Sequence, residues 1–150
     1  MKLQKASRFA LYAVLELAAD PARQLSAAEI AGRYGISTNH LAKVLRDLGR
    51  AGLVDSVRGV GGGYRFSGNA KRVTLLDVIE IFEDVGHQTT SKRGPAESTD
   101  IGGALRVVLN EIADIASATL RSITLDTLLK LRRRYQRQPA ATRDGARPSA

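Results

Sequence analysis

The chain has 150 residues, with 23 Lys+Arg against 15 Asp+Glu and a formal charge of +8 at pH 7, a length that predicts one domain or a small domain with an extension. It holds no cysteine, which removes disulfides, thiolate metal sites, cysteine-held iron–sulfur clusters and cysteine nucleophiles together. No apolar run approaches the roughly 20 residues of a membrane span, and Met1-Lys2-Leu3-Gln4-Lys5 starts no export signal, so a cytoplasmic protein without a membrane partner is expected.

Charge is distributed unevenly along the chain. Residues 1–73 carry a net +7, residues 74–129 a net −5 and residues 130–150 a net +6. Basic segments attract phosphate backbones through counterion release; the alternative is a positive face kept for solubility.

The first helix presents Phe9, Ala13 and Leu17 at i, i+4 and i+8, with Ala10, Val14 and Ala18 beside them, a wide apolar face for core packing. Ser26-Ala27-Ala28-Glu29 is a capping box that opens a short helix from Ala27 to Tyr34, stopped by Gly35. Ser37 caps the next helix, which runs to about Ala51 with Gly52 ending it. Leu41, Val44, Leu45 and Leu48 share one face of it, and Thr38, Asn39, Lys43, Arg46 and Arg50 fill much of the remainder. Helix, tight glycine turn and helix is the helix-turn-helix pattern, with Ile36 buried in the turn.

Leu53-Val54-Asp55-Ser56-Val57 then reads as a strand and Tyr64-Arg65-Phe66 as its return. Between them, Arg58-Gly59-Val60-Gly61-Gly62-Gly63 is a hairpin tip. A ribbon directly after a helix-turn-helix makes a winged helix. An arginine on a slim glycine-rich tip suits a narrow minor groove, and glycines such as Gly59 let backbone amides approach phosphates. The rival, a nucleotide-phosphate loop, requires a helix after the glycines or a Lys-Ser/Thr pair; a strand follows instead. Tyr64 is expected to close the hairpin against the core.

Thr74 caps a further helix with Asp77 three residues on, predicted to reach about Val85. Residues 86–100 have no period and read as a loop of the kind that is functional or mobile. Ile101, Leu105, Val108, Ile112 and Ile115 recur at four- and three-residue spacing, with Leu109 alongside, a heptad-like stripe on a helix about 33 Å long. A partner helix from a second copy would bury it; the alternative is packing on the chain's own core. Thr124 caps a last short helix, and residues 137–150, with Pro and Gly and no period, are expected to be disordered.

At several places these residues resemble the Rrf2 family of bacterial transcription regulators. The match runs through Met1-Lys2-Leu3, Phe9-Ala10, Glu29-Ile30-Ala31, Gly35-Ile36-Ser37, Leu41, Ala51-Gly52-Leu53-Val54 and Arg58-Gly59…Gly62-Gly63-Tyr64. It continues through Thr74-Leu75, Asp77-Val78-Ile79 and Ile123-Thr124-Leu125-Asp126, covering about residues 1–130. The resemblance implies a homodimeric winged-helix regulator whose long C-terminal helix mediates pairing, and a wing arginine, here Arg58, that enters the minor groove. It also implies, in some members, an iron–sulfur cluster held by three loop cysteines and a further ligand. This chain departs there, since its 86–100 loop has no thiol. His87, Glu97 and Asp100 are the remaining donors in that loop and are read as solvated residues, so no metal and no cofactor is expected.

The expected architecture is mainly α with a two-stranded β wing. Residues 1–73 form the winged helix-turn-helix DNA-binding domain; residues 74–136 form a linker helix, an effector-type loop (86–100) and the dimerisation helix; residues 137–150 form a basic tail. Candidate contacts to duplex DNA are Ser37, Thr38, Asn39, His40 and Lys43 from the start of the recognition helix, with Arg58, Gly59 and Arg65 from the wing. Asn39 suits adenine, and Lys43 suits guanine or a phosphate. Lys2, Lys5, Arg8, Arg46 and Arg50 are candidate phosphate anchors. Leu105, Val108, Leu109, Ile112 and Ile115 are the dimerisation candidates. The function expected is a homodimeric, sequence-specific regulator, a repressor on a palindromic operator, whose effector or partner protein is unidentified. The alternative is a basic winged helix that binds RNA or a protein. No nucleophile–base set points to an enzyme.

Overall fold

The computed structural model describes residues 1–86 and 94–138. Helices α1 (Lys5–Ala19), α2 (Ala27–Tyr34) and α3 (Thr38–Arg50) are followed by strands β1 (Val54–Val57) and β2 (Gly63–Phe66). Helix α4 (Leu75–Ile79), a 3-10 turn (Pro95–Ser98), and helices α5 (Asp100–Ser122) and α6 (Leu125–Arg137) complete the chain order.

Helix α1 is the centre of the packing. Its predicted apolar face is buried: Ala10, Ala13, Val14 and Leu17 are fully covered, while Phe9 packs at the edge of the core. The alanines keep that face flat, so α1 makes contact with α2, α3, β2, α4 and α6. Leu41, Val44, Leu45 and Leu48 of α3 join the same cluster, together with Ile36 from the turn. The core also takes in Val78 and Leu125, so α4 and α6 share it with the helix-turn-helix.

The ends of the helices are fixed largely by their own caps. Ser26 Oγ accepts the Glu29 N–H at 3.1 Å and the Glu29 carboxylate accepts the Ser26 N–H at 2.7 Å, the reciprocal pair that the sequence spells. Those bonds hold the Glu29 carboxyl below its ordinary range. Gly35 ends α2 at φ +61. Thr74 and Asp77 form a second box at 2.8 and 3.2 Å, and Thr124 caps α6 through the Thr127 N–H.

Helix α1 differs, because Gln4 supplies no side-chain cap. Glu83 caps it from 79 residues away, its carboxylate accepting the Gln4 N–H at 2.7 Å and the hydroxyl of the buried Ser7 at 2.9 Å. That contact explains why α4 ends at Ile79 rather than near Val85. The Phe82 N–H bonds back to the Ile79 carbonyl at 2.9 Å, and the chain turns so that Glu83 faces α1.

Two other boundaries move. The 86–100 stretch is not wholly irregular: Pro95 opens the 3-10 turn, and Thr99 caps α5 by accepting the Gly102 N–H at 3.0 Å. Helix α6 is 13 residues long rather than short, and Arg137 is helical, contrary to a disordered segment beginning there. The expectation for residues 139–150, and that for His87, lie outside the described residues.

Leu45→Ala is expected to lower stability by about 2–5 kcal/mol, because it hollows the junction of α1 and α3. Val107→Ala, on the exposed flank of α5, is expected to stay within about 0.5 kcal/mol. Urea titration followed by circular dichroism reads both.

Candidate nucleic-acid interface

Helix α3 is two-sided in fact as in sequence. Burying Leu41, Val44, Leu45 and Leu48 turns Thr38, Asn39, Lys43, Arg46 and Arg50 outward, all exposed. Ser37 is the N-cap, its hydroxyl accepting the His40 N–H at 3.4 Å, so part of its hydrogen-bonding capacity is committed to the helix. His40 is half-buried and its ring meets Phe9 edge-on, with centroids 5.0 Å apart at 73°. It leans on α1 and is less open than its neighbours. The first two turns therefore offer an amide, a hydroxyl and an ammonium on one free surface.

The turn before α3 is braced from α1 and α2. The Tyr34 ring stacks on Tyr12, with centroids 4.7 Å apart, and its hydroxyl donates to the Glu16 carboxylate at 2.6 Å. Glu16 also pairs with Arg33. Burial, then the hydrogen bond to Glu16, pushes the Tyr34 hydroxyl well above its ordinary pKa, so it stays a donor at any physiological pH.

The wing forms by antiparallel pairing of Val54 with Phe66, Asp55 with Arg65, Ser56 with Tyr64 and Val57 with Gly63. Arg58, Gly59, Val60 and Gly61 are exposed at its tip. Gly59 and Gly61 have φ of +110 and +73, values that L side chains resist. Arg65 sits on the returning strand, 4.0 Å from Asp55 across the ribbon, an exposed pair of little energetic weight.

A sequence reading of the glycines as loop freedom misses two of them. A Cβ on Gly62 would collide with the Val57 carbonyl and approach the Gly59 carbonyl at 2.8 Å, and one on Gly63 would lie 2.5 Å from the Leu25 carbonyl. Gly63 is small because Leu25 passes directly over it. Leu25 pairs with Tyr64 through two backbone bonds of 2.9 and 2.8 Å, a one-residue bridge on the outer edge of β2. Leu25 directly precedes the Ser26 cap, and nothing local in the sequence marks its pairing with the wing. As expected of Tyr64, it closes the wing against the core, its side chain packing there while its backbone pairs with Leu25.

The five stripe residues of α5, Leu105, Val108, Leu109, Ile112 and Ile115, are between 53% and 62% exposed, and α5 buries no residue fully. Packing on the chain's own core, the alternative for this stripe, does not occur among the described residues.

Residues 3–131 match the Rrf2 family, described as an iron-dependent transcriptional regulator. BadM of Rhodopseudomonas palustris, named as an HTH-type transcriptional regulator, is 54% identical over 143 residues, covering 93% of this chain and 90% of that protein. IscR of Vibrio atlanticus, also named as an HTH-type transcriptional regulator, is 33% identical over 135 residues, 87% of this chain and 76% of its own length. Of solved structures, IscR of T. potens superposes with a TM-score of 0.74 at 25% identity, covering 95% of this chain and 96% of that one. CymR, the global cysteine regulator of B. subtilis, gives 0.71 at 28% identity, with coverage of 87% and 98%. The fold is a winged helix, and these relatives are regulators, not enzymes.

The iron in the family description meets an unsuitable donor set here. There is no thiol in the chain, Glu97 and Asp100 are exposed, and no three His, Asp or Glu side chains converge among the described residues. A thiolate-held cluster does not fit these residues.

Gly63→Ala is expected to cost about 1–3 kcal/mol by parting Leu25 from Tyr64, and to speed amide exchange at both. Gly32→Ala, on α2 with nothing within 4 Å of its Cβ, is expected to stabilise by up to about 1 kcal/mol. Thermal melts of the two variants, with hydrogen exchange on the first, check the opposite signs.

Proposed function

This chain belongs to the Rrf2 family of transcriptional regulators, and from that membership we propose that it is a cytoplasmic, sequence-specific DNA-binding repressor. It acts as a homodimer on a palindromic operator, without a cysteine-held cluster. The observation that carries the proposal is the pairing of a free α3 surface with an arginine-tipped wing, in a chain whose first 73 residues hold a net +7. In a helix-turn-helix the start of the second helix meets base edges in the major groove. Thr38, Asn39 and Lys43 stand there, with Asn39 matched to the N6/N7 edge of adenine. Ser37 and His40 flank them and contribute less, one committed as a cap and the other to Phe9. Arg58 and Gly59 project towards the minor groove, while Arg65, Arg46 and Arg50 serve the backbone. Lys2, Lys5 and Arg8, on or just before the first turns of α1, belong to the same electrostatic set.

Pairing is proposed through α5. A stripe of large apolar residues more than half exposed is unusual on a monomer and fits a partner surface. Two copies joined there would present two recognition helices to successive major-groove faces, which calls for a palindrome. Operator occupancy would keep other proteins from the same DNA, hence a repressor. The three parts are accordingly a DNA-binding unit (1–73), a linker, loop and dimerisation unit from residue 74 to the end of α6 at Arg137, and a basic tail beyond it.

Sequence selection with the purified protein is expected to yield an inverted repeat; enrichment of no sequence would overturn the proposal. Arg58→Ala is expected to weaken binding to the selected site by about tenfold more than binding to random DNA, measured by competition at fixed salt. Equal losses on both would deny the wing a reading role. Ile112→Asp is expected to yield monomers in sedimentation and to reduce operator affinity about a hundredfold, since each half-site is then held alone.

A further inference from the structure

Away from the DNA-facing surface, the C-terminal end of α1, the far end of α2 and the middle of α6 enclose an open cleft of about 480 Å³, within the range of small-molecule sites. Its apolar walls are Ala18, Leu25, Ala70 and Leu129. Four guanidinium groups line it, from Arg23, Arg33, Arg132 and Arg133. The carboxylates nearby are largely matched already: Glu16 is held by Arg33 and Tyr34, and Asp126 by Lys130 at 2.8 Å. Asp20 is the remaining acid of the lining, against Arg23, Arg132 and Arg133, none of which is in an ion pair among the described residues.

We propose that this cleft binds a small organic anion, a carboxylate on an apolar body, and that the bound anion regulates DNA binding. The three uncommitted guanidiniums supply charge-assisted donors for the carboxylate, and the leucine and alanine walls take the apolar part. An open cleft with three guanidiniums outside ion pairs, and Asp20 as the acid left without one, favours a monoanion over a neutral or cationic molecule of the same shape.

The position gives the regulatory consequence. Arg23 lies in the segment that leads from α1 into α2, whereas Arg132 and Arg133 lie on α6, which follows α5. An anion held by both sides changes how firmly the lead-in to the helix-turn-helix is tied to α6, and so the set of the recognition helix relative to α5. Arg132 is close enough to act electrostatically on Tyr34, at the end of α2. This regulatory part rests on the DNA-binding proposal; the binding part does not.

The test uses full-length protein and octanoate as the probe, with octylamine and 1-octanol as cationic and neutral counterparts. Saturable octanoate binding by calorimetry is expected, with amide shifts clustered at Leu25, Ala70 and Leu129. The two counterparts should bind about tenfold more weakly or worse. R132Q/R133Q, a pair of surface changes verified as folded by circular dichroism, is expected to lose octanoate binding about tenfold. In wild type alone, octanoate is expected to change affinity for the selected operator by about fivefold or more. Equal binding of octanoate and octylamine, unaltered binding in the double variant, or no saturable binding would overturn the site. Octanoate binding with no change in operator affinity would overturn its regulatory role. Absence of any DNA binding in the unliganded protein would instead sink the function proposed above, and calorimetry would still decide the cleft.

Discussion

The close fit of neighbouring elements against the alanine-rich face of α1 is the constraint on which the molecule depends. Ala10 and Ala13 are fully buried and too small to hold α3 and α4 at a distance, so both come up against the same helix. A larger residue at either place would overpack a junction with nowhere to expand. The recognition helix is therefore positioned by what lies behind it. Its outward face is free to carry polar groups because its inward face contributes four fully or nearly fully buried residues, Leu41, Val44, Leu45 and Leu48.

The wing obeys a different rule. Two four-residue strands form a marginal ribbon by themselves, and this one is tied to the helical body by the backbone of Leu25. Smallness at Gly63 permits that approach, while positive φ at Gly59 and Gly61 shapes the tip. One short glycine run thus serves two purposes, and a replacement at each position fails for its own reason. Within the same body, ion pairs at Glu16–Arg33 and Asp126–Lys130 neutralise acids, so the positive character of the surface is carried by arginines that have no such match.

Most of the fold was legible because its signals are local. Ser26–Glu29, Thr74–Asp77, Gly35 and the Leu41–Leu48 face each specify structure within one or two helical turns, and the structure follows them. Signals failed where the determining contact is distant in sequence. No local rule in residues 80–85 reveals that Glu83 is drawn to α1, so α4 was expected to continue. Nor does Leu25 announce its pairing with Tyr64, 39 positions later. Of the interface, the exposure of Thr38, Asn39, Lys43 and Arg58 could be foreseen from helix phase and turn composition. The lean of His40 on Phe9 could not, since it depends on the crossing of α1 and α3. The arginine-lined cleft was likewise hidden, because its walls come from four separate stretches of chain.

The carboxylate that completes the first turn of α1 lies far downstream. During synthesis the Gln4 amide and the Ser7 hydroxyl lack that partner until residue 83 has been made and has folded back, however early the rest of the helix forms. The segment with Lys2, Lys5 and Arg8 is thus among the last parts of the winged-helix half to settle, although it is made well before residue 83. A nascent chain arrested ahead of residue 83 would carry a frayed, protease-sensitive beginning on an otherwise helical stretch.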